Sequence, residues 1–243
     1  RRCADRAAGR DPYEPPEMTF PGLEGEVAYD PRPISKMGSE RISRMGFEIA
    51  SRRNGAPGDG VSRVTCVDKS NVTRGCQLFR RTFDEVGDAY PGIERDYGYI
   101  DAFMQWITRN PEHYDVVVSS NMFGDISTDL GAVLQGGMGM AGSANIGDHH
   151  AMFEPVHGSA PKHAGKGIVN PIASISSVQM MLDWLGRRNA NDDIIDVADL
   201  VGAAIADHVR DGTQLTYDLG GDASTTQVGT SIATRLGAAL RER

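Results

Sequence analysis

Residues 114–120, Tyr-Asp-Val-Val-Val-Ser-Ser, constrain the fold more than any other segment. A strand with one wet face alternates apolar and polar residues. The unbroken apolar centre Val116–Val118 instead marks a strand covered on both faces, as in a parallel sheet packed between helices. Asn121-Met122-Phe123-Gly124 reads as its exit turn, with a helix predicted from about Asp125. A second β-branched run, Val61 to Val67, reads as another buried strand.

Helical periodicity fills the intervals. It predicts helices over about 39–53 (Ile42, Met45, Phe47 and Ile49 on the apolar side), 75–90, and 100–110 (Phe103, Met104, Trp106 and Ile107 inward). Three more are predicted over about 171–185, 195–211 and 226–241, with Met180, Met181 and Trp184 as core. Pro12, Pro15, Pro16, Pro21, Pro31 and Pro33 make residues 1–33 irregular. Strands alternating with helices define an α/β class.

At 243 residues the chain can form one large domain or two modest ones. Its 25 basic and 33 acidic residues give a net charge of −8, which argues against a nucleic-acid partner, since such binding runs on a basic surface. No stretch approaches the roughly 20 apolar residues of a membrane helix, and the charged start lacks a signal-peptide core. Cys3, Cys66 and Cys76 are too few and scattered for a disulfide framework, so a cytoplasmic setting is the default expectation. The opening on Arg rather than Met is what a fragment or processed chain would show.

Four places carry candidate chemistry. Asp125 and Asp129 are four apart and share a helix face. Two carboxylates there repel unless a cation or proton intervenes, and hard oxygen ligands suit Mg²⁺ or Mn²⁺. The alternative is an N-cap at Asp125 beside a solvated Asp129. Lys69 follows the 61–67 strand directly and is either a proton carrier or a solvated charge. Asp101, among aromatic neighbours, is either buried with a partner or an N-cap. The turn Glu154-Pro155-Val156-His157-Gly158-Ser159-Ala160-Pro161, followed by Lys162, His163 and Lys166, offers backbone N–H groups and positive charge to a phosphate.

Taken in order, ERISRMGFEIASRR (40–53), VTCVDKSNV (64–72), YDVVVSSNMFGDISTDLG (114–131), FEPVHGSAPKHAGKGIVNPIASISSVQMMLDWLG (153–186) and DLGG (218–221) resemble the isocitrate/isopropylmalate dehydrogenase family of metal-dependent β-decarboxylating dehydrogenases. The resemblance runs from about residue 39 to the end. It implies a two-domain α/β fold, with 1–135 as the smaller substrate, metal and dimerisation domain. Residues 136–243 would be the C-terminal half of the nucleotide-binding domain, whose N-terminal part is absent here.

The resemblance also implies roles. Asp101, Asp125 and Asp129 would hold Mg²⁺ or Mn²⁺, and Lys69 would accept the substrate's hydroxyl proton. Lys69 and Asp101 would come from the neighbouring subunit of a homodimer with shared active sites. Glu154, His157, Gly158, Ser159, Ala160, Asn170 and Asp218 would bind the nucleotide. Lys162 and His163 resemble the basic pair of NADP-preferring members, so NADP is favoured over NAD. The substrate would be a small 2-hydroxy di- or tricarboxylic acid with a 3-carboxylate, of isocitrate, 3-isopropylmalate, tartrate or malate type. The family's proton-donating tyrosine has no counterpart, because its position falls on Cys3 or Phe20 in the two possible registers. That departure keeps a non-catalytic or regulatory homologue, or a truncated product, as the alternative.

Overall fold

The computed structural model describes residues 27, 28 and 30–242. The irregularity expected for 1–33 and the two tyrosine-position candidates, Cys3 and Phe20, fall almost wholly outside them. The chain divides into two compact units, one of residues through Phe103 together with Glu112–Ser120, the other of Met104–Pro111 and Asn121 onward.

In the first unit, α1 (Lys36–Ala50), β1 (Arg63–Asp68), α2 (Arg74–Gly87), β2 (Glu94–Tyr99), the start of α3 (Ile100–Arg109) and β3 (Val116–Ser119) follow in order. The sheet is parallel, in the order β2-β1-β3. The strand buried throughout is therefore β1, not the 114–120 run: in β3 only Val118 is buried, because it lies at the edge of this sheet. The expected strand at 61–67 begins two residues later. β2 escapes sequence reading because Glu-Arg-Asp-Tyr-Gly-Tyr alternates like a half-solvated edge.

Phe47, Phe79, Phe83, Val64, Cys66 and Val118 form this unit's core, with Phe47 stacked on Phe83 and Tyr90 at 5.1 Å each. α1 buries small residues as well as Phe47: Ser39, Ser43, Gly46 and Ala50 face inward, while the expected core residue Ile42 is 44% exposed. The reason is close approach. A Cβ on Gly46 would sit 2.3 Å from Val118 Cγ2. In α3, Phe103 is buried, but Trp106 is half exposed and not inward as expected.

The second unit holds α4 (Asn121–Leu134), the antiparallel hairpin β4 (Gly142–Ile146) and β5 (Ala151–Pro155), and then α5 (Ile172–Arg188), α6 (Asp192–Asp211) and α7 (Thr225–Arg241). α5 packs on the hairpin and on α6, and α6 packs on α7. Met140, Ile172, Ala204, Ala223, Val228 and Ile232 make the core. Met180, Met181 and Trp184 are half-buried rather than core; Trp184 lies against Phe153 of β5 and under Arg188. α4 starts at Asn121, four residues earlier than expected, so there is no separate exit turn and Asp125 is not an N-cap. A capping box of Ser224 and Gln227 starts α7, and Gly212 at φ 68° ends α6.

Gly46→Ala is expected to destabilise the chain by about 1–3 kcal/mol, the usual penalty for overpacking. Gly229→Ala, in α7 with nothing within 4 Å of its added Cβ, is expected to stabilise by about 0.5–1 kcal/mol through helix propensity. Urea unfolding of the two variants checks the contrast.

Candidate functional site

Lys69 leaves β1 on a tight turn. Its carbonyl accepts the Val72 and Thr73 amides at 3.0 and 2.9 Å, and the preceding Asp68 carboxylate accepts the Ser70 amide at 2.9 Å. β2 runs straight into α3, which puts Asp101 in that helix's first turn, where a carboxylate is favoured by the helix dipole. Lys69 Nζ donates to Asp101 Oδ1 and lies 5.9 Å from the Tyr99 ring centre. Asp101 is thus exposed and paired, not buried. The Lys69 hydrogen bond, joined by backbone N–H groups, holds its carboxyl below the usual carboxylate range.

Asp125 and Asp129 lie one turn apart on α4, both exposed, and the Asn121 amide nitrogen is 3.2 Å from each Asp125 oxygen. Together with Thr128, Ser143, Glu154 and His157 they line a depression of about 440 Å³. Ser143 and Glu154 face each other across the β4–β5 ladder, so the hairpin supplies one wall and α4 the other. Among the described residues, no three His, Cys, Asp or Glu side chains are arranged to hold a metal ion.

A larger cavity of about 730 Å³ lies in the same unit, lined by His157, Gly158, Ser159, Ala160, His163, Asn170 and Asp218 among others. His157 and Gly158 line both cavities. His157 Nδ1 is 2.9 Å from the Gly158 carbonyl; a carbonyl only accepts, so Nδ1 carries the proton and a neutral ring presents Nε2 as an acceptor. Ala160 is held in left-handed backbone at φ 44°, a conformation costing roughly 1–2 kcal/mol for a residue with a Cβ. Such strain clusters at ligand sites.

Buried Asn170 braces the far wall. Its amide nitrogen donates to Asp218 Oδ2 at 3.1 Å, and its oxygen accepts the Ile172 amide at 3.0 Å. Gly139 is required beside them, since a Cβ there would lie 2.7 Å from Asp218 Oδ2. His163 stacks on Tyr217 with ring centres 6.0 Å apart, and its buried Nδ1 has no partner among the described residues. Lys162 is exposed on the same short turn, Pro161–His163, and does not line the cavity. Glu154 lines only the carboxylate depression. Sequence reasoning missed Tyr217, Ser143 and Gly139; Tyr217 was within reach, standing next to Asp218.

A family model described as isocitrate/isopropylmalate dehydrogenase matches residues 8–234. The chain belongs to that family. It is 43% identical over 211 residues to a homoisocitrate dehydrogenase of Methanocaldococcus jannaschii, covering 86% of this chain and 56% of the relative. It is 40% identical to a 3-isopropylmalate/3-methylmalate dehydrogenase of the same organism, covering 90% and 65%. A β-decarboxylating dehydrogenase structure from Thermococcus kodakarensis in its apo form superposes with a TM-score of 0.76 at 40% identity, covering 89% of this chain and 60% of that one. The isocitrate/isopropylmalate dehydrogenase-like α/β fold expected from the sequence is therefore present. The chain spans between about half and two thirds of these proteins' length. No helix among the described residues is long and apolar enough to cross a membrane.

Asp101 should titrate below the ordinary value of about 3.9, and Lys69→Met should raise it towards that value, the backbone N–H groups still holding part of the depression. Because the folded-state value is depressed, the stability contributed by the pair is present above the ordinary range and lost as pH falls through the lowered midpoint. Carboxyl-carbon NMR titration of the two proteins reads both.

Proposed function

We propose that this chain carries out, or forms part of a protein that carries out, NAD(P)- and Mg²⁺- or Mn²⁺-dependent oxidative decarboxylation of a 2-hydroxy acid bearing a 3-carboxylate. The observation that carries the reading is the common wall: His157 and Gly158 separate a carboxylate-lined depression from a dinucleotide-sized cavity. A hydride donor and its acceptor need that adjacency.

The donor chemistry fits the implied groups. Asp125 and Asp129 offer hard oxygens on one helix face, which suits Mg²⁺ or Mn²⁺. Two ligands do not complete a sphere, and Asp101 is the family's third. When bound, the cation would act as a Lewis acid, stabilising negative charge that develops on the substrate's oxygen. On the nucleotide side, the glycine backbone at Gly158, Gly165 and Gly167 admits close phosphate approach. The orphaned His163 Nδ1 awaits a partner there. His163 in the cavity lining and Lys162, exposed on the same turn outside it, favour NADP, since basic side chains suit a 2′-phosphate where an acid would repel it.

In this reading Lys69, ion-paired with Asp101 at rest, would first release a proton to water, and the neutral amine would then accept the proton of the substrate's 2-hydroxyl, with a bound nicotinamide supplying the hydride acceptor. Asp101 orients that ammonium and returns it to its resting pair. The 3-carboxylate would then leave as CO₂, its C–C bonding pair passing into a substrate enolate that takes a proton at C3 from a general acid. A homodimer suits the surface of α4: Met122, Ile126 and Val133 are exposed along one stripe beside Asp125 and Asp129. An apolar stripe of that kind marks an interface.

The test is nicotinamide reduction at 340 nm with a panel of isocitrate, 3-isopropylmalate, tartrate and malate in Mn²⁺. Lys69→Met is expected to lower kcat about 10²–10⁴-fold, the span of general-base effects. Asp125→Asn should raise the Mn²⁺ requirement, and Lys162→Asp should shift preference from NADP towards NAD. Turnover by Lys69→Met near that of the unmodified protein would exclude it as the base. No turnover of any acid by the intact protein would favour the non-catalytic homologue.

A further inference from the structure

Lys69 shares the Tyr99 ring with a second cation, Arg80, that the proposed reaction does not use. Asp68, the last residue of β1, has 1% of its side chain exposed. Its carboxylate accepts Arg80 Nε at 2.8 Å and Nη2 at 2.9 Å, and the Ser70 amide at 2.9 Å. One buried carboxylate therefore joins the turn that carries Lys69 to α2. The Arg80 guanidinium lies 5.2 Å from the ring centres of both Tyr97 and Tyr99, which share a face of β2 because they are two residues apart. Tyr97 is tied back to α2 by its hydroxyl, which donates to Asp84 at 2.6 Å. The Tyr99 ring that receives Arg80 also receives Lys69 Nζ.

We propose that Arg80 is the positioning residue for Lys69, acting through Asp68 on the turn and through Tyr99 on the ammonium. The inference rests on the reading of Lys69 as the proton acceptor. A planar guanidinium can grip a carboxylate with two N–H groups while its faces meet aromatic rings; an ammonium is a point charge and cannot do both. Without the fork, Asp68 is left as a buried carboxylate with only the Ser70 amide and the weakly donating Cys66 thiol, at 4.0 Å, as partners among the described residues. A buried charge in that state reorients towards water if it can. The turn moves with it, and Lys69 leaves the Tyr99 ring. Arg80 touches neither Lys69 nor any reacting atom.

The chain has four lysines, Lys36, Lys69, Lys162 and Lys166. Reductive ¹³C-dimethylation keeps their charge and gives each an NMR signal, without needing turnover. The Lys69 signal, identified by its loss in Lys69→Arg, should stand upfield because of the Tyr99 ring. In Arg80→Lys, which keeps the charge but loses the fork, that signal should move to the unstructured lysine position while the Lys36, Lys162 and Lys166 signals stay. Arg80→Met should give the same selective shift. An unmoved Lys69 signal in Arg80→Lys overturns the proposal. So does loss of dispersion by all the signals together, which would make Arg80 a general stabiliser. A selective shift combined with undiminished turnover of Lys69→Met would instead remove the base assignment and leave the positioning intact.

Discussion

Asp68 ends the central strand as a buried carboxylate, and the first unit is arranged around satisfying it. An ionised group out of water must be paired and hydrogen-bonded. Here the pairing draws on the strand, the turn after it, α2 and the tyrosine face of β2. Removing Arg80 would leave an uncompensated buried carboxylate at the turn that carries Lys69. In the β1–β2 register Asp68 lies opposite Tyr99, and Lys69 and Asp101 meet just beyond the strand ends.

The second unit solves a similar problem with a neutral group. Asn170 is buried, and its amide is spent on Asp218 on one side and the α5 amide of Ile172 on the other. That clamp holds Asp218 in the lining of the nucleotide-sized cavity, to which the strained backbone at Ala160 also belongs. The hairpin's last strand runs directly into Val156 and His157, so a single turn of chain borders both cavities. Geometry that serves two ligands at once leaves little freedom in this turn, which accounts for its small residues.

The sequence made much of this legible, for stated physical reasons. The parallel α/β pattern followed from two β-branched runs between periodic helices, and the long helices α5, α6 and α7 followed from apolar spacing. What escaped did so because its signal was local or polar. β2 alternates charged and aromatic residues, and β4 and β5 are five residues each, joined by the four-residue loop Gly147-Asp148-His149-His150 in place of a two-residue hairpin turn. The Ile42 and Trp106 expectations failed because close helix packing selected Gly46 and Ala50 over larger neighbours, and because α3 buries little beyond Phe103. Lys69 and Asp101 were singled out separately; only the structure pairs them. Arg80 carried no sequence signal, since an arginine in an amphipathic helix ordinarily faces water.

His157 and Gly158 line both cavities, and the proposed function requires the ligands in the two to influence each other. Titrating Mn²⁺ into the protein by calorimetry, with and without saturating NADP, tests it most directly. Saturable binding of one ion per chain is expected, tightened by the nucleotide and weakened by Asp125→Asn. Absence of saturable Mn²⁺ binding, or binding indifferent to both NADP and Asp125→Asn, would contradict it.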